Sequence, residues 1–184
     1  MNSVIGRAGE CIAEEYLKTR GFLVWRPGDF IRLLEVVLAY SVVSGECKEE
    51  PKEPITLAIP TPVGYVSVTY WRGRCLSEDA RTATPLEASL YAPCLKKCVE
   101  ETVDKPLLHA LSSVATELLQ YRAALRTVDL FAFRDGALYA VEVKTNSGKL
   151  TESQLEKASV LRRWLKPLVV RVYLQNPLVE IRPQ

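Results

Sequence analysis

The chain has 184 residues, 48% of them hydrophobic and 25% charged, which is the composition of an ordinary soluble globular protein with one substantial core. Its most apolar stretch, residues 33–43, contains Glu35 and is well short of the roughly 20 residues that cross a bilayer, so no membrane span is expected. The formal net charge of +2 does not by itself indicate a nucleic-acid partner, and the first residues lack a signal-peptide pattern, so we expect a cytoplasmic protein.

The first elements are a helix and a short strand. Apolar residues at helical spacing predict an amphipathic helix over residues 3–19. Gly21 follows the last basic residues of this pattern and suits the position just beyond a helix end. Residues 22–25 are apolar and predict a strand, which Pro27 and Gly28 end.

Residues 27–126 differ in character and predict an inserted α+β subdomain. The pattern predicts helices over residues 30–43 and 106–122 and strands over residues 55–59 and 65–71, and it leaves residues 85–98 ambiguous. The insert carries 11 Lys/Arg and 13 Asp/Glu, whereas residues 1–26 and 127–184 together carry 13 and 9. The two flanks are therefore the more basic part, which gives modest support to a polyanionic partner.

The last third returns to alternating strands and a helix. Strands are predicted over residues 129–133 and 138–144, and Asp135-Gly136 between them is a strong hairpin signal. Thr151 and Gln154 form a capping-box pattern for a helix that runs to about Leu165, and strands over residues 168–174 and 179–181 follow. This order predicts a mixed central sheet with helices against it, with a parallel crossover around the helix.

Three polar residues of this hairpin suit phosphodiester chemistry. Strand alternation puts Glu142 and Lys144 on one face, and the hairpin brings Asp129 within reach of Glu142. Charged residues in a sheet are costly unless they are paired or bind a metal. Mg²⁺ prefers oxygen ligands, so Asp129 and Glu142 are candidate ligands, and Lys144 is a candidate to orient water or stabilise developing charge.

The pattern Asp129…Glu142-x-Lys144 resembles that of the PD-(D/E)XK nuclease superfamily. The stretch from Gly6 through Glu10 to Gly21-Phe22 is similar to the opening of archaeal Holliday junction resolvases, in which a helix bearing a catalytic Glu precedes the first strand. The resemblance implies a restriction-endonuclease-like α/β core in residues 1–26 and 127–184. It also implies a Mg²⁺-dependent DNA endonuclease, with Mn²⁺ as a substitute, that cuts branched DNA in repair or recombination and is usually a homodimer.

The resemblance assigns roles to Glu10 and Gln154, and the basic charge of other residues suggests contacts with DNA. Glu10 takes the catalytic helix position and completes the acidic metal site. Gln154 resembles an additional motif on the helix after the catalytic strand, although closing the capping box already explains it. Arg7, Arg26 and Lys149 are the candidate DNA contacts. Arg162 and Arg163 fit a phosphate contact and a solvated helix face equally well.

Two departures separate the chain from these resolvases. Val128 stands where the family usually has Pro, and about a hundred residues replace a short loop that helps to grip the junction. Junction specificity therefore does not follow from the resemblance. Two rivals are a non-catalytic nucleic-acid-binding or assembly protein on the same fold and a Cas4-like exonuclease. His109, the only histidine, is expected to be a partly buried helix residue.

The five cysteines leave three states open. Cys47, Cys75, Cys94 and Cys98 could form disulfides, stay as free thiols, or bind zinc or an iron–sulfur cluster; Cys11 is the fifth. The chain has only three Asn and four Gln, and avoidance of these heat-labile amides is typical of a thermophile. We therefore expect a thermophilic source, and the cytosol of hyperthermophiles tolerates disulfides. The resemblance to archaeal resolvases implies that the source is archaeal.

Overall fold

A computed structural model describes residues 2–76, 80–146, 159–174 and 179–183. The chain divides into two compact units, one formed by Met1–Phe30 and Tyr121–Gln184 and the other by Ile31–Gln120. The sequence predicts the division at residues 26 and 127, so the first unit takes a few more residues on each side than expected. Both units are mixed α/β structures. No helix among the described residues is long and apolar enough to cross a membrane.

The helices and strands are numbered in chain order. The helices are α1 (Asn2–Thr19), α2 (Pro27–Val42), α3 (Pro85–Tyr91), α4 (Leu95–Thr102), α5 (Lys105–Ser112), α6 (Ala115–Gln120) and α7 (Arg122–Leu125). The strands are β1 (Leu23–Trp25), β2 (Ile55–Thr61), β3 (Gly64–Trp71), β4 (Arg74–Leu76), β5 (Arg81–Thr82), β6 (Leu130–Arg134), β7 (Ala137–Thr145), β8 (Lys166–Leu174) and β9 (Val179–Pro183). Of the helix predicted before β8, only residues 159–161 are described as helical, and the capping box of Thr151 and Gln154 lies outside the described residues.

The first unit is built on a five-stranded mixed sheet with the order β1-β6-β7-β8-β9. The β7–β8 pair is parallel and the other three pairs are antiparallel. The β6–β7 hairpin turns at Asp135 and Gly136, whose φ angles of 51° and 76° are those of a two-residue turn with both residues left-handed. The predicted hairpin and the predicted parallel pairing of β7 with β8 are therefore confirmed, whereas most of the predicted helical connection between them lies outside the described residues.

Helix α1 ends as its sequence predicts. Gly21 has φ 80°, and its N–H donates to the Lys18 carbonyl at 3.0 Å. The Phe22 N–H donates to the Leu17 carbonyl at 3.1 Å, so two carbonyls of the last turn find partners. This sharp end lets the chain reverse into β1, which pairs with β6 at the edge of the sheet.

Helix α1 packs on one face of this sheet. Ala13 and Leu17 meet a buried apolar surface of β6, β7 and β8, made of Leu130, Ala132, Val141, Val143, Val170 and Val172. On β7, Val141 and Val143 alternate with Glu142 and Lys144, so the side chains of Glu142 and Lys144 lie on the sheet face opposite α1. Phe131 of β6 stacks on Phe30 with ring centroids 4.1 Å apart and lies on the same face as Glu142.

The second unit contains a four-stranded mixed sheet with the order β4-β3-β2-β5. Strands β2 and β3 extend their predictions by one or two residues, whereas β4 and β5 are too short to leave a pattern. Disulfides join Cys47 to Cys94 and Cys75 to Cys98, so the insert's cysteines are neither free nor metal-bound.

Two helix predictions for the insert are corrected by the structure. The continuous helix expected over residues 106–122 is divided into α5, α6 and α7. At the first division the Ser113 hydroxyl donates to the Ala110 carbonyl, and the Val114 N–H reaches only Leu111, three residues back. His109 lies exposed on α5 rather than partly buried, because the apolar stripe of α5 is formed by Leu107 and Leu111.

Candidate functional site

Asp129 immediately precedes β6, and the hairpin places it opposite β7. Leu130 is paired with Val141, and continuing this antiparallel register by one residue sets Asp129 across from Glu142. The Asp129 Oδ2 atom accepts a hydrogen bond from the Val143 N–H at 2.7 Å. One carboxylate oxygen is thus held by the backbone of the strand that carries the other predicted site residues.

Glu142 and Lys144 form a close ion pair on the same face of β7. The Lys144 Nζ donates to the Glu142 Oε1 at 2.8 Å. Only 11% of the Lys144 side chain and 18% of the Glu142 side chain are exposed. Partial burial strengthens their attraction, because few water molecules screen the two charges. The ammonium group therefore lies where it neutralises one of the two strand carboxylates.

Helix α1 brings Glu10 to the same end of the sheet through its neighbour Gly9. A Cβ at residue 9 would collide with the Thr145 methyl group and would touch the Val143 side chain. The missing side chain therefore permits close approach of α1 to the end of β7. Glu10 is consequently near enough for its charge to act on Asp129.

The pKa of Asp129 reflects its burial and its charged neighbours. The pKa of Asp129 is raised to about 6. Burial is the main cause, the negative charges of Glu142 and Glu10 also raise it, and the Val143 N–H and the Lys144 charge oppose the rise. A single carboxylate with such neighbours is a common mark of a functional site. The charges of Glu10, Glu142 and Lys144 thus all act on Asp129.

Arg26 is a strong partner of Glu10. Its guanidinium donates to the Glu10 Oε2 at 2.7 Å and lies 2.8 Å from the Glu14 Oε2. It also lies 3.6 Å from the Cys11 Sγ. The pKa of Glu14 is lowered, first by the hydrogen bond from Lys18 and further by Arg26. Glu14 therefore belongs to the same charge network as Glu10 and Arg26. The sequence alone did not distinguish Glu14 from Glu15, which is exposed.

The remaining predicted residues are less well connected to the site. Arg7 is exposed on α1 and takes part in none of the ion pairs described above. Lys149 and Gln154 lie outside the described residues. Arg171, which was not predicted, pairs with Lys144 in the β7–β8 register and therefore lies on the Glu142 face. Strand alternation in β8 was its only signal, and using that signal requires knowledge of the pairing.

Few side chains of the candidate site are available as ligands for a divalent ion. No group of three or more His, Cys, Asp or Glu side chains that could hold a metal occurs in the described part of the chain. Glu10 is held by Arg26, which leaves Asp129 and Glu142 as the pair of facing carboxylates. Mg²⁺ commonly takes one or two protein carboxylates together with water and substrate phosphate oxygens. Asp129 and Glu142 fit that minimum, and their mutual repulsion would be relieved by a cation.

Comparison with known proteins gives no further guidance. No family model, no curated protein and no solved structure matches the chain. Membership of the PD-(D/E)XK superfamily thus stays a prediction from Glu10, Asp129, Glu142 and Lys144.

Proposed function

We propose that the chain is a metal-dependent DNA endonuclease with a restriction-endonuclease-like core. The observation that carries the proposal is the convergence of Asp129, Glu142 and Lys144 at one end of the β6–β7 hairpin, with Glu10 in electrostatic range of Asp129. Two carboxylates with an ammonium group beside them are suited to phosphodiester hydrolysis with Mg²⁺ or Mn²⁺, because the carboxylates bind the ion and the ammonium group stabilises developing negative charge. Branched or junction DNA is the substrate class that the resemblance implies.

The roles of the side chains follow from their positions. Asp129 and Glu142 would hold the ion, which when bound supplies Lewis acidity at the scissile phosphate. Ionisation of Asp129 is required for this, and the Val143 N–H stabilises the ionised form. Once a divalent ion balances Glu142, the Lys144 ammonium group is available to orient a water molecule or to stabilise charge that develops on the phosphate.

The cations around the site provide the contacts to the substrate backbone. Arg26 is anchored by Glu10 and Glu14 on the side of the site formed by α1. Arg7 is on the same helix and is open to solvent. Both are suited to bind phosphates that flank the cleaved bond. Lys149 and Gln154 keep their predicted roles as a phosphate contact and a catalytic helper.

Cleavage assays with single-residue variants test the proposal. Wild-type protein is expected to nick at least one of four DNA substrates (four-way junction, flap, single strand and linear duplex) in Mn²⁺ or Mg²⁺. Glu142→Gln should abolish cleavage, and Lys144→Met should reduce it by about 10²–10³-fold, because transition-state charge loses its partner. The matched control is Glu15→Gln, which removes an exposed carboxylate of α1. An active Glu142→Gln protein, or a wild type that cuts none of the substrates, rules out the proposal.

A non-catalytic nucleic-acid-binding or assembly protein is the second candidate. The observation in its favour is that Arg26 and Lys144 already neutralise Glu10 and Glu142 without any ion. DNA binding that is independent of metal and never leads to cleavage would support this candidate. End-labelled linear DNA separates an endonuclease from the exonuclease alternative, and sedimentation shows whether the active form is the homodimer that the resemblance implies.

A further inference from the structure

The positive charge of the first unit is concentrated in two short segments. This unit contains 15 Lys/Arg and 10 Asp/Glu in the sequence. Residues 121–128 and 159–168 hold five of these basic residues and no acidic one. The local excess of five positive charges equals the net excess of the whole unit. Such a concentration creates a local positive potential that attracts a polyanion.

Two aromatic rings bring the segments together. Tyr121, which precedes α7, meets Trp164, which follows the helical residues 159–161, with ring centroids 5.4 Å apart and a 41° tilt. The Arg163 guanidinium lies 5.7 Å from the centre of the Trp164 ring. Tyr121 is 40% exposed although its ring is packed against Trp164. An accessible aromatic surface therefore lies among cations.

Three of the five cations in these two segments are arginines accessible to a ligand. Arg126, Arg162 and Arg163 are exposed, and none of them has an ion-pair partner within the described ranges. Arg126 follows one helical turn after Arg122, because its N–H donates to the Arg122 carbonyl at 3.0 Å. We call Tyr121, Arg126, Arg162, Arg163 and Trp164 the Trp164 patch.

The patch is connected to the candidate site by a very short length of chain. Arg126 precedes Asp129 by three residues, which span at most about 11 Å even when fully extended. Successive phosphates of a single strand are several ångströms apart. A strand of a few nucleotides is therefore long enough to reach from the candidate site to Arg126. A substrate that has its scissile phosphate at Asp129 and Glu142 and extends toward α7 therefore reaches Arg126.

We propose that the Trp164 patch binds an unpaired segment of the DNA substrate, with phosphates on its arginines and a base stacked on Tyr121. This inference rests on the proposed function, because it extends the same substrate beyond the scissile bond. Proteins that bind single-stranded DNA stack its bases on aromatic side chains and contact its phosphates with basic residues. Duplex DNA hides its base faces, so Tyr121 distinguishes single strands from duplex while the arginines serve both.

Equilibrium binding in EDTA tests the patch apart from catalysis. Fluorescence anisotropy would follow fluorescein-labelled oligothymidylate and a blunt duplex at several salt concentrations. The charge variant is Arg126→Gln/Arg162→Gln/Arg163→Gln. Its matched control is Lys52→Gln/Arg74→Gln/Lys105→Gln, which removes three exposed charges from the second unit. The ring variant is Tyr121→Ala, matched by Tyr65→Ala, which removes an exposed tyrosine of the second unit.

The expected results differ for each variant. Loss of three arginines should weaken binding of both DNAs and reduce the slope of log K against log salt by about 2 for the single strand. Tyr121→Ala should weaken single-strand binding about tenfold and leave duplex binding unchanged. The two control proteins should bind like wild type. Because all these side chains are exposed, circular dichroism melts should show that each variant is folded.

The outcomes separate this inference from the proposed function. If the wild type cleaves DNA but both patch variants bind like their controls, the patch assignment is overturned and the nuclease assignment stands. If the patch variants lose binding although no substrate is cut, the patch stands and the nuclease assignment falls. If the wild type binds neither oligonucleotide in EDTA, the assignment of the patch to DNA binding is overturned. Cleavage in Mn²⁺ then decides whether the chain is a nuclease.

Discussion

Asp129 is the residue whose environment is least suited to its ordinary ionisation state. Its carboxylate is largely buried, receives one backbone N–H, and faces the negative charges of Glu142 and Glu10. Since isolated buried charge is costly, the folded protein without metal binds a proton at Asp129 more readily than the unfolded chain does. The same features make the position favourable for a divalent cation.

This residue gives a prediction about stability and pH. The pKa of Asp129 is about 6 in the folded protein against an ordinary value of 3.8, so folding is favoured by protonation. Ionisation of Asp129 lowers the free energy of unfolding. This loss of stability is absent when the pH is below the ordinary pKa of 3.8, grows as the pH rises, and is complete above about pH 6. Asp129→Asn should therefore raise the free energy of unfolding in EDTA by about 2 kcal/mol near pH 8, after allowance for partial exposure, and change it little near pH 4.

Urea denaturation of both proteins across this pH range provides the measurement. The asparagine keeps an oxygen that accepts the Val143 N–H, so the comparison isolates the charge. Glu15→Gln serves as the control for an exposed carboxylate. A stability difference for Asp129→Asn that is the same at both ends of the range would show that Asp129 titrates normally, contrary to the expectation.

At the scale of elements, the position of α1 on β7 depends on one small residue. Gly9→Ala adds a Cβ that collides with the Thr145 methyl group, so the local packing must change, and we expect the helix to shift away from the strand that carries Glu142. Overpacking of this kind costs about 1–3 kcal/mol. We expect lower stability, together with loss of cleavage because Glu10 moves with the helix.

Two further variants check the cause of this effect. Gly6 is on the same helix, and a Cβ added there would have nothing within 4 Å, so Gly6→Ala should be neutral or stabilising by up to about 1 kcal/mol. The double variant Gly9→Ala/Thr145→Ser lacks the obstructing methyl group and should recover most of the lost stability. Thermal melts of the four proteins give the comparison, and no recovery in the double variant would refute the proposed clash.

The elements that were predicted well are those with local causes. Gly21 ends α1 because it adopts positive φ, and Asp135-Gly136 sets a two-residue turn that fixes the whole β6–β7 register. That register is also the reason why Asp129, Glu142 and Lys144 could be grouped from the sequence. Their separation along the chain is short, and one turn determines their relative faces.

The elements that were missed depend on distant contacts. A continuous apolar stripe is the same for one long helix as for α5, α6 and α7, so residues 106–122 could not reveal the breaks. The approach of Arg26 to Glu10 requires the sharp reversal after α1, and the position of Arg171 beside Lys144 requires the β7–β8 pairing. Neither can be obtained from a single window of sequence.

At the scale of the whole molecule, covalent cross-links are confined to the second unit. Cys47–Cys94 and Cys75–Cys98 both lie within Ile31–Gln120, and they join residues separated by 47 and 23 positions. Each bond reduces the conformational freedom of the unfolded chain and contributes about 2–4 kcal/mol. The first unit, which contains the candidate site, is stabilised by its sheet and α1 instead.

This distribution predicts a specific alkylation pattern. Iodoacetamide in denaturant without reductant should modify one thiol, that of Cys11, whereas reduction first should expose all five. Intact-mass spectrometry counts the added groups, and peptide mapping assigns them. Cys11→Ser is the control and should show no modification before reduction. Modification of more than one thiol in the unreduced wild type would contradict the disulfide assignment.

Cys11, the free cysteine, is also a natural attachment site for a spectroscopic probe. Cys11 is exposed, directly follows Glu10, and lies 3.6 Å from an Arg26 nitrogen. A nitroxide or an environment-sensitive dye attached there would report any rearrangement of the Glu10–Arg26 pair when cations or oligonucleotides are added. Such a probe needs no engineered cysteine and leaves the four bridged ones undisturbed.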